Sequence, residues 1–210
     1  GSVIPFKYNQ YEELENIVKS NQDLAAIKME VQRSELPNDG YLLKIRELCD
    51  KNNIILIFDE CTSGFRETYG GIHLKYNVYP DICIFGKALG NGYAITSIIG
   101  KRNIMEYAQN TFISSTFWTE RIGPTAALKC LEIMQKEKSW EYVTNYGKKV
   151  IDIWKKLASN YNLKIKTSDF PALANFTIIS DNFLKYKTFI TQQMLNKKYL
   201  ASNIFYASIS

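Results

Sequence analysis

The run Ile54-Ile55-Leu56-Ile57-Phe58 is continuously apolar and follows directly on a helical pattern. No polar residue alternates within it, so neither face of a strand built from it favours water. Strands of that kind belong to parallel sheets covered on both faces. Ile82-Cys83-Ile84-Phe85 repeats the pattern, and Tyr93 to Ile99 is expected to form a third such strand. Between and before them, apolar residues recur at helical spacing. Leu14, Ile17 and Val18 share one face of an expected helix over Tyr11 to Ser20, with acids in its first turn. Leu24 to Val31 reads as a strand, and Leu36-Pro37-Asn38-Asp39-Gly40 as a turn. Leu42, Ile45 and Leu48 form the stripe of a second helix over Tyr41 to Asn52. Helices alternating with buried strands specify an α/β layer fold with a mostly parallel sheet.

The pattern changes after Trp118. A helix is expected from near Glu120 to about Lys138, with Pro124 in its first turn, and another from Trp140 to Asn160. Short strands (Leu163 to Lys166, Ala174 to Ser180), a helix over Asn182 to Lys197 and a last strand around Ile204-Phe205-Tyr206-Ala207 complete a smaller α+β unit. The expected division is 3–138 and 139–210. The chain ends inside its last expected strand, and Gly1-Ser2 reads as an expression remnant.

Composition excludes several classes. No apolar run approaches the roughly 20 residues that span a bilayer, and no secretory leader is seen. Cys49, Cys61, Cys83 and Cys130 lack CxxC spacing, which argues against a zinc ribbon or a disulfide scaffold and favours a reducing cytoplasm. His73 is the single histidine, so multi-histidine metal sites are excluded and no metal is expected. A Ser-His-Asp triad would have to be built on that one residue. The net charge of +5 comes from lysines scattered beside glutamates, as in Gln135-Lys136-Glu137-Lys138. That is the pattern of solvated helix faces and not of a nucleic-acid stripe.

Two positions carry chemistry. Asp59-Glu60 directly follow one buried run, and Phe85-Gly86-Lys87 closes the next, leading into Ala88-Leu89-Gly90-Asn91-Gly92. Ligands of parallel α/β sheets bind at the carboxyl ends of the strands. Taken singly, Asp59 could be a turn or cap acid and Lys87 one surface lysine among many. Together, a carboxylate and a lysine at adjacent strand ends are the groups a pyridoxal phosphate (PLP) enzyme needs: an acid for the pyridine nitrogen and an amine for a Schiff base.

The segment Leu56-Ile57-Phe58-Asp59-Glu60-Cys61-Thr62-Ser63-Gly64-Phe65-Arg66 resembles the signature of class III (subgroup II) PLP-dependent aminotransferases. The stretch from Pro80 through Lys87 to Gly92 resembles that family's lysine segment, and Ser115 to Pro124 its later phosphate-contact segment. The nearest branch is similar to glutamate-1-semialdehyde 2,1-aminomutase. The resemblance implies a partial fold-type I large domain followed by a small C-terminal domain. It implies amino transfer between a small amino acid or amine and a keto acid or aldehyde through a lysine aldimine, or an intramolecular aminomutation, in a cytoplasmic homodimer with a shared active site. A non-catalytic dimerising segment is the other reading. Lys87 would carry PLP and then move the proton. Asp59 would hold the ring nitrogen protonated, Cys61 would pack on the ring face, and Thr116 would reach the phosphate bound by a neighbouring subunit. Thr116 could instead be a helix N-terminal residue. Arg66 is expected to pair with a carboxylate. Glu30 matches a family glutamate, with Val31 where a proline usually follows. The Gly/Ser loop for the phosphate and the aromatic that stacks on the ring have no counterpart ahead of Leu24. A chain with this content is expected to bind PLP weakly and to be inactive by itself.

Overall fold

The computed structural model describes residues 2–33 and 35–209. These gather into two compact units, one of residues 2–33 and 37–136, the other of residues 35–36 and 137–209.

In the first unit, helix α1 (Tyr11–Ser20) buries Leu14 and Val18, and α2 (Tyr41–Asn52) buries Tyr41, Leu42, Ile45, Leu48 and Cys49. The helical spacing of these residues in the sequence foretold both faces. Asn53 ends α2 in a left-handed conformation, φ 55°. The following N–H, of Ile54, returns to the Cys49 carbonyl at 2.9 Å. This closure satisfies the last carbonyls of the helix and turns the chain straight into a strand.

Strands β1 (Ala26–Met29), β2 (Ile55–Asp59) and β3 (Ile82–Phe85) are parallel neighbours, and β4 (Ser97–Gly100) lies antiparallel beside β3. Ile27, Met29, Leu56, Phe58, Cys83 and Phe85 are all buried on one face of the first three strands. A fully buried Leu, Ile or Phe side chain contributes about 1.5–3 kcal/mol, so this layer and the helix faces packed on it carry much of the stability of the unit.

The structure corrects two expectations. The strands predicted to be buried on both faces are buried on one only: β2 and β3 alternate between buried and half-exposed. Ile55, Ile57, Ile82 and Ile84 form the half-exposed side, because no described helix supplies a second cover. The third predicted strand begins at Ser97 rather than Tyr93, and Ile98 and Ile99 are exposed. Residues 91–93 are taken up by a turn instead, in which Asn91 and Gly92 both have positive φ.

After β4 come α3 (Arg102–Met105) and α4 (Ile122–Glu137). Glu120 begins α4: its carboxylate accepts from the N–H groups of Ile122 and, at 3.0 Å, Gly123.

In the second unit, α5 (Ser139–Asn160) packs on a short turn at Pro171–Leu173, with Gly147 against the Pro171 backbone. Strands β5 (Ile165–Thr167) and β6 (Phe176–Ile178) pair antiparallel, and α6 (Phe183–Asn196) follows. The Trp154 ring lies 4.9 Å from that of Phe176. The strand expected around Ile204 is reduced to an isolated bridge between Asn175 and Ile204. Two backbone bonds frame that bridge, from the Phe205 N–H to the Ala174 carbonyl at 2.8 Å and from the Phe176 N–H to the Asn203 carbonyl at 3.0 Å.

Candidate active site

Asp59 is the last residue of β2, and Lys87 opens the short 3-10 turn that follows β3. Because β2 and β3 are parallel neighbours, both groups emerge at the same end of the sheet. The fold therefore brings together the two residues that the sequence singled out. Lys87 is exposed and has φ 42°. A non-glycine residue held in this sparsely populated region costs on the order of 1 kcal/mol or more, a kind of strain that clusters at functional sites. Its Nζ donates to Thr62 Oγ1 at 2.5 Å.

Both Asp59 oxygens have partners. Oδ1 accepts from the Cys61 N–H at 3.1 Å, and Oδ2 pairs with Lys28 Nζ at 3.0 Å. Partial burial works to raise the Asp59 carboxyl. The Lys28 hydrogen bond, the Cys61 N–H and the charges of Lys28 and Lys87 outweigh it and hold the carboxyl below its ordinary value. Asp59 is therefore an anion at neutral pH, as a residue that stabilises a cation must be.

Gly86 joins the two halves of the site. A Cβ built there would lie 2.5 Å from Cys61 Sγ. Only a hydrogen at this position lets the Cys61 side chain lie over the backbone leading to Lys87. Thr116 sits in the exposed segment ahead of α4, and the capping of that helix falls to Glu120. Arg66 Nε donates to the Thr62 carbonyl at 2.7 Å, and Glu30 pairs with Arg33 at 3.4 Å.

On the opposite side of β2 lies a cluster that sequence reasoning missed. Glu60 is fully buried. Its carboxylate accepts from Ser63 Oγ, from the His73 N–H at 3.0 Å and from His73 Nδ1 at 2.9 Å. Ser63 and His73 both engage the acid, an arrangement unlike the Ser–His–acid relay of a nucleophilic triad. Cys83 completes a group of three possible metal donors whose atoms lie within 4.8 Å of one another. Glu60 already spends both oxygens on protein donors, so the cluster acts as a staple from β2 to the turn at Ile72–Tyr76. A glutamate immediately after Asp59, with a serine three residues on, was the only sequence trace of it.

Residues 6–168 match the family model described as aminotransferase class-III. The chain belongs to the class III aminotransferases. The 3-aminobutyryl-CoA aminotransferase of Cloacimonas acidaminovorans is 33% identical over 201 residues, covering 90% of this chain and 48% of that protein. The glutamate-1-semialdehyde 2,1-aminomutase of Natranaerobius thermophilus is 31% identical over 172 residues, covering 78% and 40%. This class III chain thus spans about half the length of the curated relatives it matches or less. Among solved structures, the acetylornithine aminotransferase of Elizabethkingia anophelis superposes with a TM-score of 0.82 at 26% identity, covering 97% of this chain and 57% of that one. The FumI protein of Sphingopyxis sp. MTA144, in its PLP internal aldimine form, gives 0.87 at 21% identity, covering 97% and 51%. The fold expected from the sequence, a mostly parallel α/β sheet of the fold-type I class, is the fold of these relatives.

The donor set fits part of PLP. A lysine amine suits its aldehyde carbon, and an ionised carboxylate suits a protonated ring nitrogen. The turn between them has the small residue that close approach requires.

Proposed function

We propose that the protein is a PLP-dependent aminotransferase that moves an amino group between a small amino acid or amine and a keto acid or aldehyde. The observation that carries this reading is the pair Asp59 and Lys87 at the carboxyl ends of adjacent parallel strands, in a chain of the class III family. Bound PLP supplies an electron sink for the negative charge left when a substrate's α-proton departs.

The chain's own residues supply the rest. Lys87 Nζ would hold the aldehyde carbon, and its amine would take up and return the substrate's α-proton. The Asp59 carboxylate accepts a charge-assisted hydrogen bond from the ring nitrogen and keeps it protonated. Cys61, over the Gly86 backbone, would lie against the ring face. Thr116 donates to a phosphate held by a neighbouring copy.

In this reading, residues 3–138 are the C-terminal part of a PLP-binding large domain and 139–210 belong to a small domain. The working form is a homodimer. Support comes from the apolar side chains left exposed on the first unit, among them Ile98, Ile99, Phe112, Phe117 and Trp118. A cytoplasmic setting agrees with four free cysteines, and no described helix is long and apolar enough to cross a membrane. Intramolecular amino transfer of the glutamate-1-semialdehyde type is the second reading, supported by relatives that carry that name.

The test is borohydride reduction of the PLP-loaded protein and then peptide mass spectrometry. The reduced adduct is expected on Lys87, and Lys87→Ala should lose both adduct and turnover. Asp59→Asn should keep the adduct and lose turnover by orders of magnitude. An adduct on another lysine, or wild-type turnover in either variant, refutes the assignment. A panel of amino donors with and without a keto acid acceptor separates transfer from aminomutation.

A further inference from the structure

The half-exposed face of the first three strands is apolar except at Lys28 and Asp59. Ala26, Ile55, Ile57, Ile82 and Ile84 share it, and among them stands Lys28. In register, Lys28 is opposite Ile57, two positions before Asp59 on the same face. Its side chain therefore runs along the sheet to the end of the neighbouring strand, where Nζ meets Asp59 Oδ2 at 3.0 Å. The anion that this lysine finds on a face of isoleucines is the carboxylate assigned to the ring nitrogen.

We infer that Lys28 is a positioning residue: it occupies one oxygen of Asp59, fixes the rotamer of the carboxylate, and shares its charge with the cofactor's ring nitrogen. The inference rests on the assignment of Asp59 made above. Asp59 then serves two cations instead of one, and the second cation disfavours a proton on the ring. Lys28 thereby tunes how strong an electron sink the site maintains. Too weak a carboxylate would leave the ring neutral. A carboxylate serving the ring alone would hold the proton more tightly than Lys28 allows. Among the described residues, the other charged or titratable groups around Asp59 are Lys87 after β3, Cys61 and Glu60 after β2, and Cys83 on β3. Lys28 is the one among them in direct ionic contact with it.

Two readouts on the intact protein test the role. In the cofactor-free form, the Asp59 carboxyl is followed by 13C NMR. Its titration should move to higher pH in Lys28→Met and stay near wild type in Lys28→Arg. In the PLP-loaded form, the ring carries a 15N label. Its protonation midpoint should rise in Lys28→Met by on the order of one pH unit, a tenfold change in proton affinity, and Lys28→Arg should restore it. Lys28 is 57% exposed at the side chain, so the substitutions leave the packed face of the sheet intact. An unmoved Asp59 titration in Lys28→Met overturns the inference whatever the cofactor does. A moved Asp59 titration with an unmoved ring signal overturns the tuning role and leaves the Asp59 assignment standing. An Asp59→Asn ring signal identical to wild type instead sinks the assignment, and the tuning role with it.

Discussion

Asp81 offers the most direct test of how the site is held. It immediately precedes β3 and is 8% exposed at the side chain. Three donors converge on its carboxylate: the Leu56 N–H of β2 at 2.7 Å, Arg46 Nη1 of α2 at 2.9 Å and Lys101 Nζ beyond β4 at 2.7 Å. The residue thus ties together a helix and three strands at the end of the sheet opposite Asp59 and Lys87. Asp81→Asn keeps an oxygen for Leu56 and loses the charge. Lys101, 52% exposed, turns to water at a cost of under about 1 kcal/mol. Arg46 is only 13% exposed; it keeps Asp50 at 2.8 Å and the same Asp81 oxygen that Leu56 uses, now as a neutral acceptor. A charge-assisted bond of this kind contributes about 1.5–3 kcal/mol. The expected loss is therefore about 1–2 kcal/mol at pH 7, read from urea unfolding of wild type and variant.

The pH dependence adds a sign. Burial works to raise the Asp81 carboxyl, but the bonds from Lys101, Leu56 and Arg46 win and hold it below its ordinary value. A carboxyl depressed in the folded state contributes stability that is complete above its unfolded value, about 4. That stability disappears as pH falls through the folded value. The gap between wild type and Asp81→Asn should accordingly be full at about pH 5–7 and shrink below about pH 4. A gap under about 0.5 kcal/mol at neutral pH, or one that persists unchanged into acid, refutes the reasoning.

Other substitutions test separate parts of the structure. His73→Phe preserves a ring but removes one of the donors to the fully buried Glu60. A loss of about 1–3 kcal/mol is expected, and a urea midpoint equal to wild type would show that the staple is idle. Gly147→Ala drives a Cβ into the Pro171 carbonyl oxygen, so the α5 backbone must shift. The expected cost is at least about 1–3 kcal/mol, seen as faster amide exchange at Ile151 and Ala158; unchanged exchange contradicts the close packing. Gly86→Ala should block PLP uptake by pressing on Cys61 Sγ. Adding Cys61→Ala, whose Cβ would sit 3.9 Å away, should restore the reducible adduct. Normal uptake in Gly86→Ala would remove Cys61 from the site.

Local chemistry alone specified much of the molecule. The apolar spacing of Leu14, Ile17 and Val18, and of Leu42, Ile45 and Leu48, defined α1 and α2 to the residue, because an amphipathic stripe has a single solution at 3.6 residues per turn. The uninterrupted runs at Ile54–Phe58 and Ile82–Phe85 defined β2 and β3 to within a residue for the corresponding reason. Asp59 and Lys87 were legible because they come directly after those runs, and parallel neighbouring strands deliver their next residues to one end of the sheet.

Tertiary structure alone decided the partners. Lys28 reaches Asp59 only because β1 is registered with Lys28 opposite Ile57, and register between distant strands is a property of the assembled sheet. Arg46, Asp81 and Lys101 meet across distant stretches of chain for the same reason. His73 read as an isolated residue until the turn after Gly71 brought it to Glu60. The first part of the strand expected from Tyr93 gave way to a turn, and the one at Ile204 was reduced to a single bridge framed by two backbone bonds. An apolar run favours an extended chain, but whether it becomes a strand depends on a neighbour to bond with, and the sequence of the run does not contain that neighbour.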